Sequence, residues 1–145
     1  GFLRVTDRKK ELLITSGGKH IAPQHLEGKL KQIAAVSQAV AIGDRRPYVV
    51  ALLTLDPLRV GAEAEKAGSP ARTPGDAARC PVFKSYVEKQ VEQANQGLAR
   101  YEQVKKIALL PQELSVETGE LTPTLKLKRR VILERHKDAI EALYA

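Results

Sequence analysis

The run Tyr48-Val49-Val50-Ala51-Leu52-Leu53-Thr54-Leu55 is nearly all apolar and rich in β-branched residues. A strand-prone run without polar alternation reads as a strand covered on both faces, so the fold must supply two layers to bury it. Just before it, Val36 to Ile42 reads as a second strand, with Val36, Val40 and Ile42 on one face and small residues opposite. Gly43-Asp44-Arg45-Arg46-Pro47 supplies a turn. Together they predict a hairpin at the heart of a small sheet.

Helical spacing follows and precedes this hairpin. Pro23 opens a segment with Leu26, Leu30 and Ile33 on one face, and Glu27 sits early in it, as the helix dipole prefers. A short helix is expected over Leu58 to Ala67, then an exposed Pro/Gly-rich loop from Gly68 to Gly75. Pro81 starts another helix whose stripe is Phe83, Val87, Val91, Ala94 and Leu98. Val104 to Leu110 reads as a last strand ended by Pro111, and a final helix from about Leu127 to Tyr144 turns Leu133, Ile140 and Leu143 inward. At the start, Phe2 to Val5 and Leu12 to Thr15 flank a charged turn and suggest an N-terminal hairpin. Interleaved strands and helices predict an α+β class: a small mixed or antiparallel sheet with helices packed against it.

At 145 residues the chain is one domain by length. Met is absent, so the natural start is expected to lie elsewhere and the chain to be cut from something longer. No apolar run approaches the 18 or so residues of a membrane span. The lone Cys80 beside Pro81 forms no internal disulfide, and with three scattered histidines it builds no zinc site, so no metal is expected. A reducing cytoplasm is the default setting. His20 is expected in the turn after Gly18, and His25 and His136 are expected on helices at the surface.

The net charge of +7 fits a polyanion, an anionic cofactor or an acidic membrane face. The basic residues gather at Arg8-Lys9-Lys10, Lys105-Lys106 and Lys126-Lys128-Arg129-Arg130. With aromatics at 4%, there is no stacking platform for nucleic acid, and phosphate binding fits the clusters better.

Two segments carry candidate chemistry. In Thr118-Gly119-Glu120-Leu121-Thr122-Pro123-Thr124-Leu125-Lys126-Leu127-Lys128-Arg129-Arg130, a glycine turn and a proline-braced loop deliver a lysine just before a helix. Such a lysine can enter a partner's cleft and neutralise a carboxylate nucleophile and the phosphate it attacks. Composition alone favours a solvated basic helix start. In Thr6-Asp7-Arg8-Lys9-Lys10-Glu11-Leu12-Leu13-Ile14-Thr15-Ser16-Gly17-Gly18-Lys19, a charged turn leads through an apolar run to a Gly-Gly turn. A Walker-type phosphate loop is excluded by spacing.

The first segment resembles the C-terminal lysine motif of the adenylate-forming superfamily, in the form of the long-chain fatty acyl-CoA synthetases. Aligned on Arg129-Arg130, the catalytic lysine falls on Lys126, with Lys128 the alternative. Thr124-Leu125 stands where the wider superfamily commonly carries Ser-Gly, and Thr-Pro-Thr-x-Lys-x-Lys-Arg is similar to the long-chain branch. The second segment resembles that superfamily's hinge between its large and small domains. By that resemblance Arg8 contacts the nucleotide's ribose and phosphate region, Lys10 is the hinge, and Ser16 and Gly17 line the CoA pantetheine tunnel. Asn95-Gln96-Gly97-Leu98-Ala99-Arg100-Tyr101-Glu102-Gln103-Val104-Lys105-Lys106 resembles the helix-to-strand passage of the bacterial branch, with a helix stop at Gly97 and re-entry into the sheet.

The resemblance implies a mobile C-terminal lid, residues 1–145, of a fatty acid–CoA ligase whose large N-terminal domain is missing. It implies ATP, Mg2+ carried on the ATP, and CoA for the intact enzyme, with fatty acid as substrate and no nucleic acid. Peripheral contact with the inner membrane face stays open. Two other readings remain: a fatty acyl-AMP ligase that serves a carrier protein, and a non-catalytic basic module for polyanions or membrane surfaces.

Overall fold

The computed structural model describes residues 12–124 and 126–144. In chain order the elements are strands β1 (Leu13–Ile14) and β2 (His20–Ile21), helix α1 (Pro23–Leu30), and strands β3 (Val36–Ile42) and β4 (Val49–Leu55). Helices α2 (Val60–Ala67), α3 (Pro74–Arg79) and α4 (Pro81–Asn95) follow, then a 3₁₀ turn at Arg100–Glu102 and strand β5 (Val104–Leu110). Helices α5 (Arg129–Arg135) and α6 (Lys137–Tyr144) complete the chain.

The main sheet runs β3-β4-β5, antiparallel between the first pair and parallel between the second. A parallel neighbour needs a crossover, and α2, α3 and α4 provide it. β4 is central and every one of its residues is buried. Its two faces feed two cores. Val49, Ala51, Leu53 and Leu55 meet Leu26 and Leu30 of α1, Val60 of α2 and Phe83, Val87 and Val91 of α4. Val50 and Leu52 meet Leu114, Leu121, Ile132 of α5 and Ile140 and Leu143 of α6. The class is α+β with helices on both faces of a mixed sheet. Among the described residues no helix is long and apolar enough to cross a membrane.

Several local expectations change. Val36 lies in the first core with Ala39 and Ala41, while Val40 and Ile42 lie in the second. The cause is a register shift between Val36 and Gln38 against β4, which reverses the faces. Thr54 satisfies the irregularity: its Oγ1 accepts the Gln38 N–H at 3.0 Å and pairs with Ser37 Oγ at 2.7 Å. The Gly68 to Gly75 stretch is not simply an exposed loop, since Ser69 and Ala71 are buried and α3 begins at Pro74. There Thr73 Oγ1 caps the Asp76 N–H at 3.2 Å. α2 starts at Val60, leaving Leu58 exposed.

α4 ends at Asn95, before Gly97. The Asn95 side chain does the joining, donating to the Val104 carbonyl and accepting the Val104 N–H, each at 2.9 Å. The final helix is two helices broken at His136, and Ile132 takes the buried place expected of Leu133, which is exposed. At the N-terminus Leu13–Ile14 pairs antiparallel with His20–Ile21, whereas Phe2 to Val5 lies outside the described residues.

Candidate functional site

Lys126 belongs to a tight loop with paired ends. Leu121 and Leu127 form an antiparallel bridge. The Thr122 N–H donates to the Lys126 carbonyl and the Lys128 N–H to the Glu120 carbonyl, both at 2.8 Å. The Lys126 N–H is taken by Thr122 Oγ1 at 3.0 Å, and that oxygen also lies 3.0 Å from Thr124 Oγ1. Gly119, at φ 82°, makes the turn that lets the first arm enter. The backbone of Lys126 is thus fixed on both sides while the residue stays exposed. Lys128 and Arg130 are exposed too.

Arg129 differs from its basic neighbours. It opens α5 and forks onto Glu27 of α1, Nη1 to Oε2 at 2.6 Å and Nη2 to Oε1 at 2.7 Å. Glu27 Oε2 also accepts the Ala41 N–H of β3 at 2.8 Å. One buried carboxylate therefore ties α1, β3 and the start of α5 together. This is the real position of Glu27, expected only as a dipole-matched residue.

A second buried carboxylate holds the other arm of the loop. Glu120 is 3% exposed. It accepts from Thr118 Oγ1 at 2.5 Å, pairs with His136 Nε2 at 2.6 Å and lies 3.6 Å from Arg135 Nε. Burial pushes its carboxyl up, but the Thr118 and His136 hydrogen bonds, with the His136 and Arg135 charges, hold it below its ordinary value. His136 is consequently half-buried and partnered, not a free surface histidine. His20 and His25 are exposed.

Ser16 and Gly17 form the exposed turn between β1 and β2. The turn closes through the Thr15 N–H on the Lys19 carbonyl at 3.0 Å and the Gly18 N–H on the Thr15 carbonyl at 2.9 Å. It rests on the β3–β4 turn: the Ser16 N–H donates to the Arg46 carbonyl at 2.9 Å, and Asp44 Oδ1 accepts the Ile14 N–H at 3.2 Å. Arg46 in turn pairs with Glu141 of α6 and lies 4.6 Å from the Tyr144 ring. Among the described residues no hydrogen bond or ion pair joins Lys126 to the Ser16–Gly17 turn. The two motifs stand on separate supports.

Arg8 and Lys10 lie outside the described residues. A groove of about 310 Å³ runs between the β3–β4 turn and the last two helices, lined by Leu13, Ile42, Arg46, Leu133, Lys137 and Glu141 among others. Among the described residues no group of three His, Cys, Asp or Glu is placed to hold a metal. The donor set around the loop is cationic and suits an anion. Cys80 is a partly buried free thiol, lowered mainly by its contact with Ser69 Oγ at 3.1 Å. The sequence reading missed the two organising acids, Glu27 and Glu120. Their only local signal is a carboxylate beside apolar core positions, Leu26 and Leu121.

A family model described as an AMP-binding enzyme C-terminal domain matches residues 10–145. The chain is 40% identical over 145 residues to the long-chain-fatty-acid–CoA ligase FadD15 of Mycobacterium tuberculosis, an alignment taking in 99% of this chain and 24% of that protein. It is 34% identical over 162 residues to the long-chain-fatty-acid–CoA ligase ACSBG1 of Mus musculus, covering 99% of this chain and 22% of the relative. The chain thus spans about a quarter of the length of the curated relatives it matches. Among solved structures it is similar to the adenylation domain of the carboxylate reductase GR01_22995 from Mycobacterium chelonae. There the TM-score is 0.75 at 25% identity, covering 93% of this chain and 19% of that one. The A-PCP didomain of the carboxylic acid reductase from Segniliparus rugosus, in complex with AMP, shares the fold. Its TM-score is 0.72 at 23% identity, over 92% of this chain and 17% of that chain. The chain belongs to the family of AMP-binding enzyme C-terminal domains.

Proposed function

We propose that residues 1–145 are the mobile C-terminal lid of an AMP-forming long-chain fatty acid–CoA ligase, joined to a large N-terminal domain of the same polypeptide. In the first half-reaction a fatty carboxylate oxygen attacks the α-phosphorus of ATP, the bond to the β-phosphate oxygen breaks, and pyrophosphate leaves. In the second, the CoA sulfur attacks the acyl carbon, the thiol proton is lost, and AMP leaves. Mg2+ enters with the ATP phosphates.

Lys126 serves the first step. A lysine ammonium set between an anionic nucleophile and a phosphate stabilises charge that is greatest in the transition state. The observation that carries this reading is the exposed Lys126 side chain on a loop whose own amide and carbonyl are both hydrogen-bonded. A fixed base under a free arm is what delivery into another domain's cleft requires. The Ser16–Gly17 turn serves the second step, lining the path of the pantetheine arm. Its separate support fits a lid that presents one motif, then the other. Arg8 holds the nucleotide's ribose and phosphate region, and rotation occurs at Lys10. The relatives FadD15 and ACSBG1, both named CoA ligases, favour CoA over a carrier protein as acceptor. We assign the enzyme to the cytoplasm, with peripheral contact at the inner membrane face.

The test is product analysis on the intact enzyme with palmitate, ATP and CoA. Equal amounts of AMP, pyrophosphate and palmitoyl-CoA are expected. Adenylate that accumulates with free CoA present, and discharges only onto a carrier protein, would reverse the assignment of the acceptor.

A further inference from the structure

We propose that Glu120, clamped by His136, is a positioning residue for Lys126, fixing the loop that carries the lysine against the break between α5 and α6. The inference rests on the assignment of Lys126 above. Glu120 stands at the base of the loop, where its carbonyl accepts the Lys128 N–H at 2.8 Å. Its side chain reaches across to the residues that follow the loop, pairing with His136 at 2.6 Å and Arg135 at 3.6 Å. Thr118, just before Gly119, supplies the donor on the near side at 2.5 Å. One carboxylate thus bonds both the chain entering the loop and the chain leaving it. Its backbone and side chain close the same ring of structure from which Lys126 is exposed.

Stability alone does not ask for an acid here. Glu120 is buried beside the second core, next to Leu121 and across from Ile132 on the turn before His136. Apolar side chains replacing both partners of a buried ion pair commonly stabilise such a place as well as the pair does, or better, although removing one partner alone is costly. What the apolar side chain cannot do is fix direction. Two hydrogen bonds and an ion pair converging on one carboxylate set the angle between the loop and the α5–α6 break, and apolar packing leaves that angle loose. His136 adds to this from its place at the helix break, where its N–H is bonded to the Ile132 carbonyl and its carbonyl to the Ile140 N–H, each at 3.0 Å. A lysine that must reach a phosphate on another domain is sensitive to that angle, since misplacement by about 1 Å can slow a reaction on the order of 100-fold.

The experiment uses the full-length ligase with Glu120→Leu, Glu120→Gln and His136→Phe, each alone and combined with Lys126→Ala. Adenylation is followed as pyrophosphate release, and thioester formation from preformed palmitoyl-adenylate is followed separately. For Glu120→Leu the expected result is a fall of about 10- to 100-fold in adenylation kcat. Tm should fall, because the His136 and Thr118 partners lose their acceptor, while the KM for ATP and palmitate and thioester formation should remain near wild type. Glu120→Gln, which keeps an acceptor oxygen, should recover part of the loss, and His136→Phe should lose an intermediate amount. In the Lys126→Ala background, none of these changes should lower adenylation further, because a residue acting through the lysine has nothing left to position. The proposal is overturned if Glu120→Leu and Glu120→Gln adenylate at the wild-type rate. It is equally overturned if their losses multiply in full on Lys126→Ala, or if both half-reactions fall together. If Glu120→Leu does not fold, Glu120→Gln and His136→Phe decide by the same criteria. Failure of the underlying assignment is seen separately, as unchanged adenylation in Lys126→Ala alone.

Discussion

Gly17 and Gly18 stand side by side with different obligations. Gly18 adopts φ 84°, a left-handed conformation that a side chain resists. Gly17 does not, and a methyl group built on it would meet nothing nearer than Thr15 Oγ1 at 3.9 Å. The fold therefore requires glycine at 18 and leaves 17 free for an outside demand, such as the thiol arm of CoA passing close to the backbone. Gly18→Ala should destabilise the chain by about 1–2 kcal/mol in urea unfolding. Gly17→Leu should leave the unfolding midpoint unchanged and, in the full-length ligase, slow thioester formation at least about tenfold while adenylation persists. A Gly17→Leu enzyme with normal thioester formation would remove the turn from the CoA path. Arg129 offers the contrasting case, a cation withdrawn from the basic cluster for structural duty. Arg129→Met strands the buried Glu27 carboxylate and should destabilise by about 3 kcal/mol, whereas Glu27→Leu with Arg129→Met should recover most of that in the same urea assay.

The elements most legible in the sequence are those with strong periodicity or continuous burial: β3, β4, β5 and α4 all fall where the residues predict them. Their faces were less legible. An extra residue in β3 leaves strand propensity intact, so nothing local reveals that Val36 and Val40 part company. Thr54→Val tests the device that permits it. That change leaves the Gln38 N–H without its acceptor and should cost about 1–3 kcal/mol by thermal unfolding, more than the loss of a hydroxyl in a regular strand. The same limit explains Leu133 and Ile132. One position is 100° of helix, and the break at His136 resets the phase of the 127–144 pattern. For the candidate site, Lys126, Ser16 and Gly17 are proposed from their motifs, while their supports carry no such signal. Glu27 and Arg129 are 102 residues apart, and no sequence spacing announces such a pairing.

At the scale of the whole molecule, the α5–α6 layer is held in place by groups that titrate at opposite ends of the pH range. Glu120 and Glu141 are both held below the ordinary value of 4.5, Glu120 by hydrogen bonds that outweigh its burial and Glu141 by Arg46. A lowered folded value means their stabilisation is present above pH 4.5 and lost as the pH falls through the folded values. Tyr144 is pushed up to about 12 by burial, against the pull of Arg46, and its hydroxyl donates to the Tyr48 carbonyl at 2.8 Å. Its contribution is present below pH 10 and lost as the pH rises from there toward 12. Unfolding midpoints followed against pH should show a plateau with both edges, the alkaline edge vanishing in Tyr144→Phe and the acid edge shallower in Glu120→Gln. On the proposed reading the cleft that Lys126 enters belongs to the large domain, so residues 1–145 alone should show no ATP–pyrophosphate exchange when purified. The most direct measurement of the central claim is made on the full-length ligase carrying Lys126→Ala, with Lys128→Ala beside it, assayed for each half-reaction with palmitate. The account predicts adenylation lowered by about 100- to 1,000-fold in Lys126→Ala, thioester formation from preformed adenylate retained, and Lys128→Ala close to wild type in both. Normal adenylation in Lys126→Ala would contradict it.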